Sequence, residues 1–240
     1  MVSAAVKVAP GVFRIPLMPF DLINSFLLVD EDGQLTLVDA GLKGSTPRIV
    51  AGIRMAGHDP SDVTRIVLTH GHNDHVGGLA EMSRQTGAEV AAHADDAVDI
   101  RAGRGTPLDR SAWLGRLRSR NLGSAACPID RELTDGEVIP LSGGLLVVHT
   151  PGHTPGHVSL LHLTSGTLIT GDAIWNMNSR RTWPSLAACS SIRLTLKAAH
   201  RLGDLEYETA AFTHGPEIRG SGRQAIRSFL ARPRGFRMFL

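Results

Sequence analysis

Hydrophobic positions in this chain fall in short clusters separated by turn residues. Gly11-Val12-Phe13-Arg14-Ile15 alternates apolar and polar, and Ser25-Phe26-Leu27-Leu28-Val29 is a compact apolar run. The turn Asp30-Glu31-Asp32-Gly33 then leads into Leu35-Thr36-Leu37-Val38, which predicts a β-hairpin. From Ser45 the period lengthens: Pro47 sits near a first turn, and Ile49, Val50, Ile53 and Met55 predict a helix. Asp59-Pro60-Ser61-Asp62 breaks the chain before the buried-strand run Ile66-Val67-Leu68. A polar, histidine-rich turn follows, then Gly77-Gly78, a helix as far as Gly87 and a strand over 88–92. The stretch 94–139 is weaker in pattern, Arg-rich, partly helical and interrupted by Pro107 and Pro128, and reads as an excursion over one edge of the domain. Strands return at 145–148, 158–161 and 167–170, followed by a helix over 191–202, a short strand over 209–213 and a helix over 222–230. Strands in clusters with helices interposed in each half predict layered sheets with outer helices rather than strict βα alternation.

Composition narrows the class. The 240 residues suit one large domain, which buries roughly 70–75% of its unfolded surface and needs no disulfide to build a core. Hydrophobic content of 42% and charged content of 20% exclude wholesale disorder. A net charge of +2 argues against a dedicated nucleic-acid binder. No apolar run approaches the roughly 20 residues of a membrane helix. The first 11 residues lack the charged and apolar regions of a secretory signal. Cys127 and Cys189 stand alone without CxxC spacing, as thiols do in a reducing compartment, so a cytoplasmic protein is expected. The unusual count is 11 histidines, several of them clustered.

The cluster that matters is Leu68-Thr69-His70-Gly71-His72-Asn73-Asp74-His75-Val76-Gly77-Gly78, with four candidate metal ligands in six residues directly after a strand. In a helix His70 and His72 would point about 200° apart; on a loop leaving a strand, residues two apart face the same side. Imidazole with carboxylate suits zinc, manganese or iron, and without thiolates a closed structural zinc site is disfavoured. Three further strand ends carry ligand types beside glycine: Thr150-Pro151-Gly152-His153-Thr154-Pro155-Gly156-His157, Thr170-Gly171-Asp172, and Phe212-Thr213-His214-Gly215-Pro216. His58, His93, His162 and His200 lie outside these clusters and read as surface or satisfied core residues, and His149 as a packing residue.

The run HGHNDH resembles the HxHxDH signature of the metallo-β-lactamase-fold hydrolases, and TPGHTPGH, TGD and THG follow in that superfamily's order, from the Val38-Asp39-Ala40-Gly41 element to His214. The resemblance implies an α/β protein: a four-layer αββα sandwich of two mixed β-sheets flanked by helices. It would form a single domain over 1–240, with the 94–139 excursion over an active site of two divalent metal ions at one sheet edge. By this match His70, His72 and His153 hold one ion and Asp74, His75 and His214 the other, with Asp172 bridging. His153 is assigned over His157 because the superfamily uses the first histidine of that loop. Asp39 and Thr69 would orient ligands by hydrogen bonds, with His157 either a supporting partner or a plain loop residue.

Five neutral imidazoles, two carboxylates, two divalent ions and a bridging hydroxide leave the centre near +1, able to polarise a carbonyl or phosphoryl oxygen. Asp74 is the expected catalytic group, orienting the hydroxide and passing its proton to the leaving group. The implied activity is that of a dinuclear metal-dependent hydrolase, glyoxalase II-like, on a small ester, thioester or lactone-like substrate. β-Lactamase or phosphotriesterase-type activity and a metal-dependent nuclease are the alternatives. Asp172 resembles the bridging carboxylate of glyoxalase II-like thioesterases and lactonases, where the well-known β-lactamases usually carry Cys or Ser and are exported. Lactonases commonly place Tyr three residues later, where this chain has Trp175; its one tyrosine is Tyr207. Substrate contacts are expected from Phe20 in the early loop, and from Trp175, Asn176 and Arg181 after the bridging carboxylate, with Trp113 in the excursion as a lid or core residue. Arg219, Arg223, Arg227, Arg232, Arg234 and Arg237 are the candidate phosphate stripe of the nuclease alternative, and Phe236, Met238, Phe239 and Leu240 are a candidate docking tail for the domain itself or for a homo-oligomer.

Overall fold

Phe26, Leu27 and Leu28 are all fully buried, because their strand has an apolar layer on each face. A computed structural model describes residues 5–105, 123–141 and 143–232. Seven strands form one sheet in chain order: β1 (Val6–Ala9), β2 (Val12–Pro16), β3 (Asn24–Val29), β4 (Leu35–Val38), β5 (Val63–Val67), β6 (Glu89–His93) and β7 (Arg131–Leu133). β1 to β4 pair antiparallel, and β4 to β7 parallel. The second sheet contains β8 (Val138–Ile139), β9 (Leu145–His149), β10 (Val158–His162), β11 (Thr167–Ile169) and β14 (Thr209–Ala211). Its order is β14-β11-β10-β9-β8, with β11 and β14 parallel. Helices α1 (Thr46–Met55), α2 (Asn73–Val76), α3 (Leu79–Thr86) and α4 (Ala94–Arg101) belong to the first half, and α5 (Ile192–Ala198) and α6 (Gly222–Leu230) to the second.

Strand alternation sorts the apolar runs into three cores. Leu27, Leu37, Ile66 and Val90 face Ile49 and Ile53 of α1, Leu79 and Met82 of α3, and Ile100 of α4. Their neighbours Phe26, Leu28, Val38 and Val67 turn the other way and meet Val147, Val158, Leu160 and Ile169 between the sheets. Leu161, Leu168 and Phe212 pack outward on Leu202, Ile226 and Phe229. Three cores between four layers make the expected αββα sandwich.

Local differences from the sequence reading have physical causes. The 94–139 stretch is integral to the fold where it is described: α4 leads the chain on to β7 and β8, the edge strands of the two sheets, so it crosses from one sheet to the other. Its expected role as a cover falls on 106–122, outside the described residues, as does Trp113. The expected helix 191–202 stops as an α-helix at Ala198 and tightens into a 3₁₀ turn over Ala199–Gly203. Residues after Asp172 form a hairpin, β12 (Trp175–Met177) with β13 (Arg180–Thr182). Asn178 and Ser179 both have positive φ (50° and 59°), the requirement of a two-residue type I′ turn. The apolar tail and Arg234 and Arg237 lie outside the described residues.

The carboxyl ends of β4, β5, β9, β11 and β14 open on one edge, where the sheets are stitched together. The Val158 amide donates to the Thr69 carbonyl at 2.8 Å, and the Asn24 amide to the Thr213 carbonyl at 2.8 Å.

Candidate metal centre

Each strand leaving this edge delivers one part of a buried cluster. β5 runs into His70 and the turn that carries His72, Asp74 and His75; β9 leads to His153, β11 to Asp172 and β14 to His214. Potential ligand atoms group as His70, His72 and His153, as Asp74, His75 and His214, and as His70, His75 and Asp172. Asp172 lies between the first two groups. Its Oδ2 is 3.1 Å from His153 Nε2, and its Oδ1 is 3.2 Å from His214 Nε2 and 3.6 Å from His75 Nε2. His72 Nδ1 is 2.9 Å from His153 Nε2. Asp74 Oδ2 stands 3.5 Å from His214 Nε2 and 3.7 Å from His75 Nε2, on a side chain that is 34% exposed. These seven side chains thus converge at one sheet edge.

Hydrogen bonds behind the imidazoles set their orientation. Asp39 accepts from the Thr69 amide (2.8 Å), the Thr69 hydroxyl (2.7 Å) and His75 Nδ1 (2.8 Å). With its proton given to Asp39, the Thr69 oxygen accepts from His70 Nδ1 at 3.1 Å. The Leu22 carbonyl accepts from His214 Nδ1 at 2.5 Å. Three rings therefore spend Nδ1–H on the scaffold, while His70, His75 and His214 Nε2 are buried without a hydrogen-bond partner. His157 is fully buried and its Nε2 accepts from the Asp172 amide at 2.7 Å, so it supports the Asp172 turn. That contact requires Gly171, which has φ +53° and whose added Cβ would lie 2.5 Å from His157 Nε2.

Charge is divided unevenly. Burial works against the charged form of His75, but Asp74, Asp39 and Asp172 outweigh it and raise it to about 9. Burial likewise opposes His153, yet Asp172 raises it to about 10. His72 is driven down to about 3 by burial and by the neighbouring His153. Asp172 is held well below the usual carboxylate range: His214, His153 and His75 outweigh its burial. A set of converging imidazole nitrogens around two carboxylates fits a divalent cation, which would take the place of the shared protons.

The sequence reading missed several supports. The Asp96 carboxylate, at the start of α4, accepts from the Gly71 amide, the Thr154 hydroxyl and the Gly156 amide. It follows the end of β6 at the same sheet edge, a strand-end signal like the others, but it has no adjacent glycine. Cys189 Sγ lies 3.6 Å from His153 Nδ1, and the Thr213 hydroxyl donates to Asp172 at 2.8 Å. His93, Asp95 and His149 form another group of ligand types. The two rings stack at 4.0 Å with planes 15° apart, so their in-plane lone pairs run parallel instead of converging on one ion.

The expected substrate contacts separate. Phe20 is 88% exposed in the loop that docks beside His214, where the Gly215 amide donates to the Asp21 carbonyl at 2.7 Å. Trp175 places its ring 4.6 Å from that of His214. Asn176 departs from the expectation: it is buried, and its side-chain amide donates to the Pro216 carbonyl at 2.7 Å. Arg181, paired with Asn176 across the hairpin, shares its face, and Trp175 is on the other face. In the proposed phosphate stripe, Arg223 is paired with Glu206 at 2.6 Å and Arg219 with Glu217. No helix among the described residues is long and apolar enough to cross a membrane.

Comparison with known proteins agrees with this architecture. The family model of the metallo-beta-lactamase superfamily matches residues 18–214. The chain is 32% identical over 221 residues to the uncharacterised YobT of Bacillus subtilis (strain 168), covering 85% of this chain and 89% of that protein. It is 29% identical over 180 residues to a hydroxyacylglutathione hydrolase of Cereibacter sphaeroides (strain ATCC 17029 / ATH 2.4.9), covering 71% of this chain and 58% of the relative. Among solved structures, the metallo-β-lactamase MIM-1 of Novosphingobium pentaromativorans superposes with a TM-score of 0.71 at 22% identity, over 95% of this chain and 86% of that one. At that identity the likeness is one of fold. The chain belongs to the metallo-β-lactamase superfamily, and by that membership is a metallo-hydrolase.

Proposed function

We propose that this protein is a dinuclear metal-dependent hydrolase of a small ester, thioester or lactone-like substrate. The observation that carries the reading is the set of buried Nε2 atoms of His70, His75 and His214, unpartnered and gathered 3.2–4.0 Å from the Asp172 carboxylate while Nδ1 is held from behind. His70, His72 and His153 would hold one cation and Asp74, His75 and His214 the other, with Asp172 shared; zinc suits this donor set best, with manganese or iron also accommodated. Such a pair of cations supplies a Lewis acid and lowers the pKa of water to about 7. Asp74, the most exposed of the acidic donors, is placed to orient the attacking water and to carry its proton to the leaving group. Trp175 and Phe20 offer an apolar wall for an acyl group. The hydroxyacylglutathione hydrolase relative supports a thioester as the first substrate class to try.

The test is a panel of thioesters, lactones, aryl esters, phosphotriesters and β-lactams, run on protein of measured metal content. We expect turnover of a carbonyl ester or thioester, with Asp74→Asn lowering kcat by about 10²–10⁴-fold and His72→Ala abolishing turnover, both on a folded chain. Unchanged activity in either variant, or no uptake of divalent metal by the wild-type chain, overturns the reading.

A further inference from the structure

Two loops meet on one buried carboxylate. Asp96 is 1% exposed, and its Oδ2 accepts from the Gly71 amide at 2.8 Å and the Thr154 hydroxyl at 2.6 Å, while Oδ1 accepts from the Gly156 amide at 2.7 Å. Gly71 lies between His70 and His72, and Thr154 directly follows His153. Those three histidines are one of the ligand groups at the centre. The loop approaches so closely that a Cβ on Gly156 would lie 2.6 Å from the Asp96 amide nitrogen. From the other side α5 presses on the same loop: a Cβ on Gly152 would lie 2.1 Å from the Thr195 nitrogen, and the Ser190 amide donates to the His153 carbonyl at 2.9 Å. Asp96 itself sits in the first turn of α4, where a carboxylate is favoured by the helix dipole.

We infer that Asp96 is a positioning residue: it clamps the His70–His72 turn to the His153 loop and thereby sets the spacing of one metal's three ligands. Asp39 has the matching task at the other group through His75. The inference rests on the proposed dinuclear centre and deepens it, because it gives the His70, His72 and His153 group a support of its own beside Asp39, which reaches both groups through Thr69 and His75. Three donors converge on Asp96, and only a carboxylate accepts all of them. In Asp96→Asn the amide NH₂ must face at least one N–H or O–H, so the clamp loses a bond to the His153 loop or to the His70–His72 turn, depending on which way the group is turned.

The experiment is a zinc titration against a chromophoric chelator, repeated with cobalt(II), whose visible spectrum reports coordination at each site. The wild-type chain should bind two equivalents. Asp96→Asn should retain one and bind the other about 10–100-fold more weakly, with the cobalt spectrum of that site altered. Thr154→Val, which removes one donor and keeps the shape, should weaken the same site by about 3–10-fold. The remote core variant Ile53→Ala should lower the melting temperature and leave both affinities unchanged. If Asp96→Asn does not fold, Thr154→Val carries the test. Equal weakening of both sites, no weakening, or the same loss in Ile53→Ala overturns the clamp. Failure of the wild-type chain to bind zinc removes the proposed function and the clamp with it.

Discussion

Asp39 has φ +60°, a conformation that costs a non-glycine residue about 1–3 kcal/mol, yet it is fully buried at the end of β4. Its compensation is the set of bonds to Thr69 and His75, which fix the ring that faces Asp172. Asparagine tolerates this backbone but cannot accept from all three donors. Asp39→Asn should therefore keep the fold and weaken metal binding by about 10–100-fold, read by chelator competition. Gly171 is a different case, since space and conformation both forbid a side chain there. Gly171→Ala should cost about 1–3 kcal/mol in a urea unfolding midpoint and lower metal content, because the new methyl displaces His157 from the Asp172 amide. The HGHNDH turn was legible at this scale because its ligands are adjacent. For Asp39 only a ligand-orienting role was expected, through family resemblance; its partners lie 30 and 36 residues away and were not legible.

At the scale of elements, the apolar runs at 26–28, 66–68 and 145–148 announced strands, and the structure shows why they do not alternate with polar residues: both faces are covered. β12 and β13 escaped notice because the alternation of Trp175-Asn176-Met177 is only three residues long and Arg180-Arg181-Thr182 has no apolar position, and their pairing rests on the turn at Asn178-Ser179. Helix α1 gives a test of packing against propensity. Alanine is normally better than glycine inside a helix by about 1 kcal/mol. At Gly52, however, a Cβ would lie 2.5 Å from Ile15 Cγ2, at the branch of a buried strand residue. Overpacking costs about 1–3 kcal/mol, so Gly52→Ala should destabilise the protein, shown by a lower urea midpoint. An increase would mean that α1 slides freely on β2.

For the whole molecule, the consequence of the sandwich is that the carboxyl ends of strands from two sheets share one edge. The cations would therefore join parts of the chain that are otherwise held by the inter-sheet core and a few bonds such as Val158 to Thr69. Each cation at 100 times its dissociation constant adds about 2.7 kcal/mol to the folded state, so a pair adds about 5.4 kcal/mol. In a chain of this size that corresponds to about 11–22 °C in Tm. Stripping the protein with a chelator should lower the melting temperature by that amount in a calorimetric scan, and zinc should restore it. An unchanged transition would show that the centre forms no bond between the two halves.

The amino-acid order by itself determined most of the central strands and the helices packed on them, the four-ligand turn and the superfamily signature, because each is written within a window of a dozen residues and follows from local periodicity and spacing. Tertiary structure decided the rest. Sheet pairing and the packing of three cores bring His70, His153, Asp172 and His214 to one edge, and only that packing shows which imidazole nitrogen is held by the scaffold and which is left bare. The same holds for Asp96, a helix-start aspartate in the sequence, whose role exists only where two distant loops deliver their N–H and O–H groups to its buried oxygens.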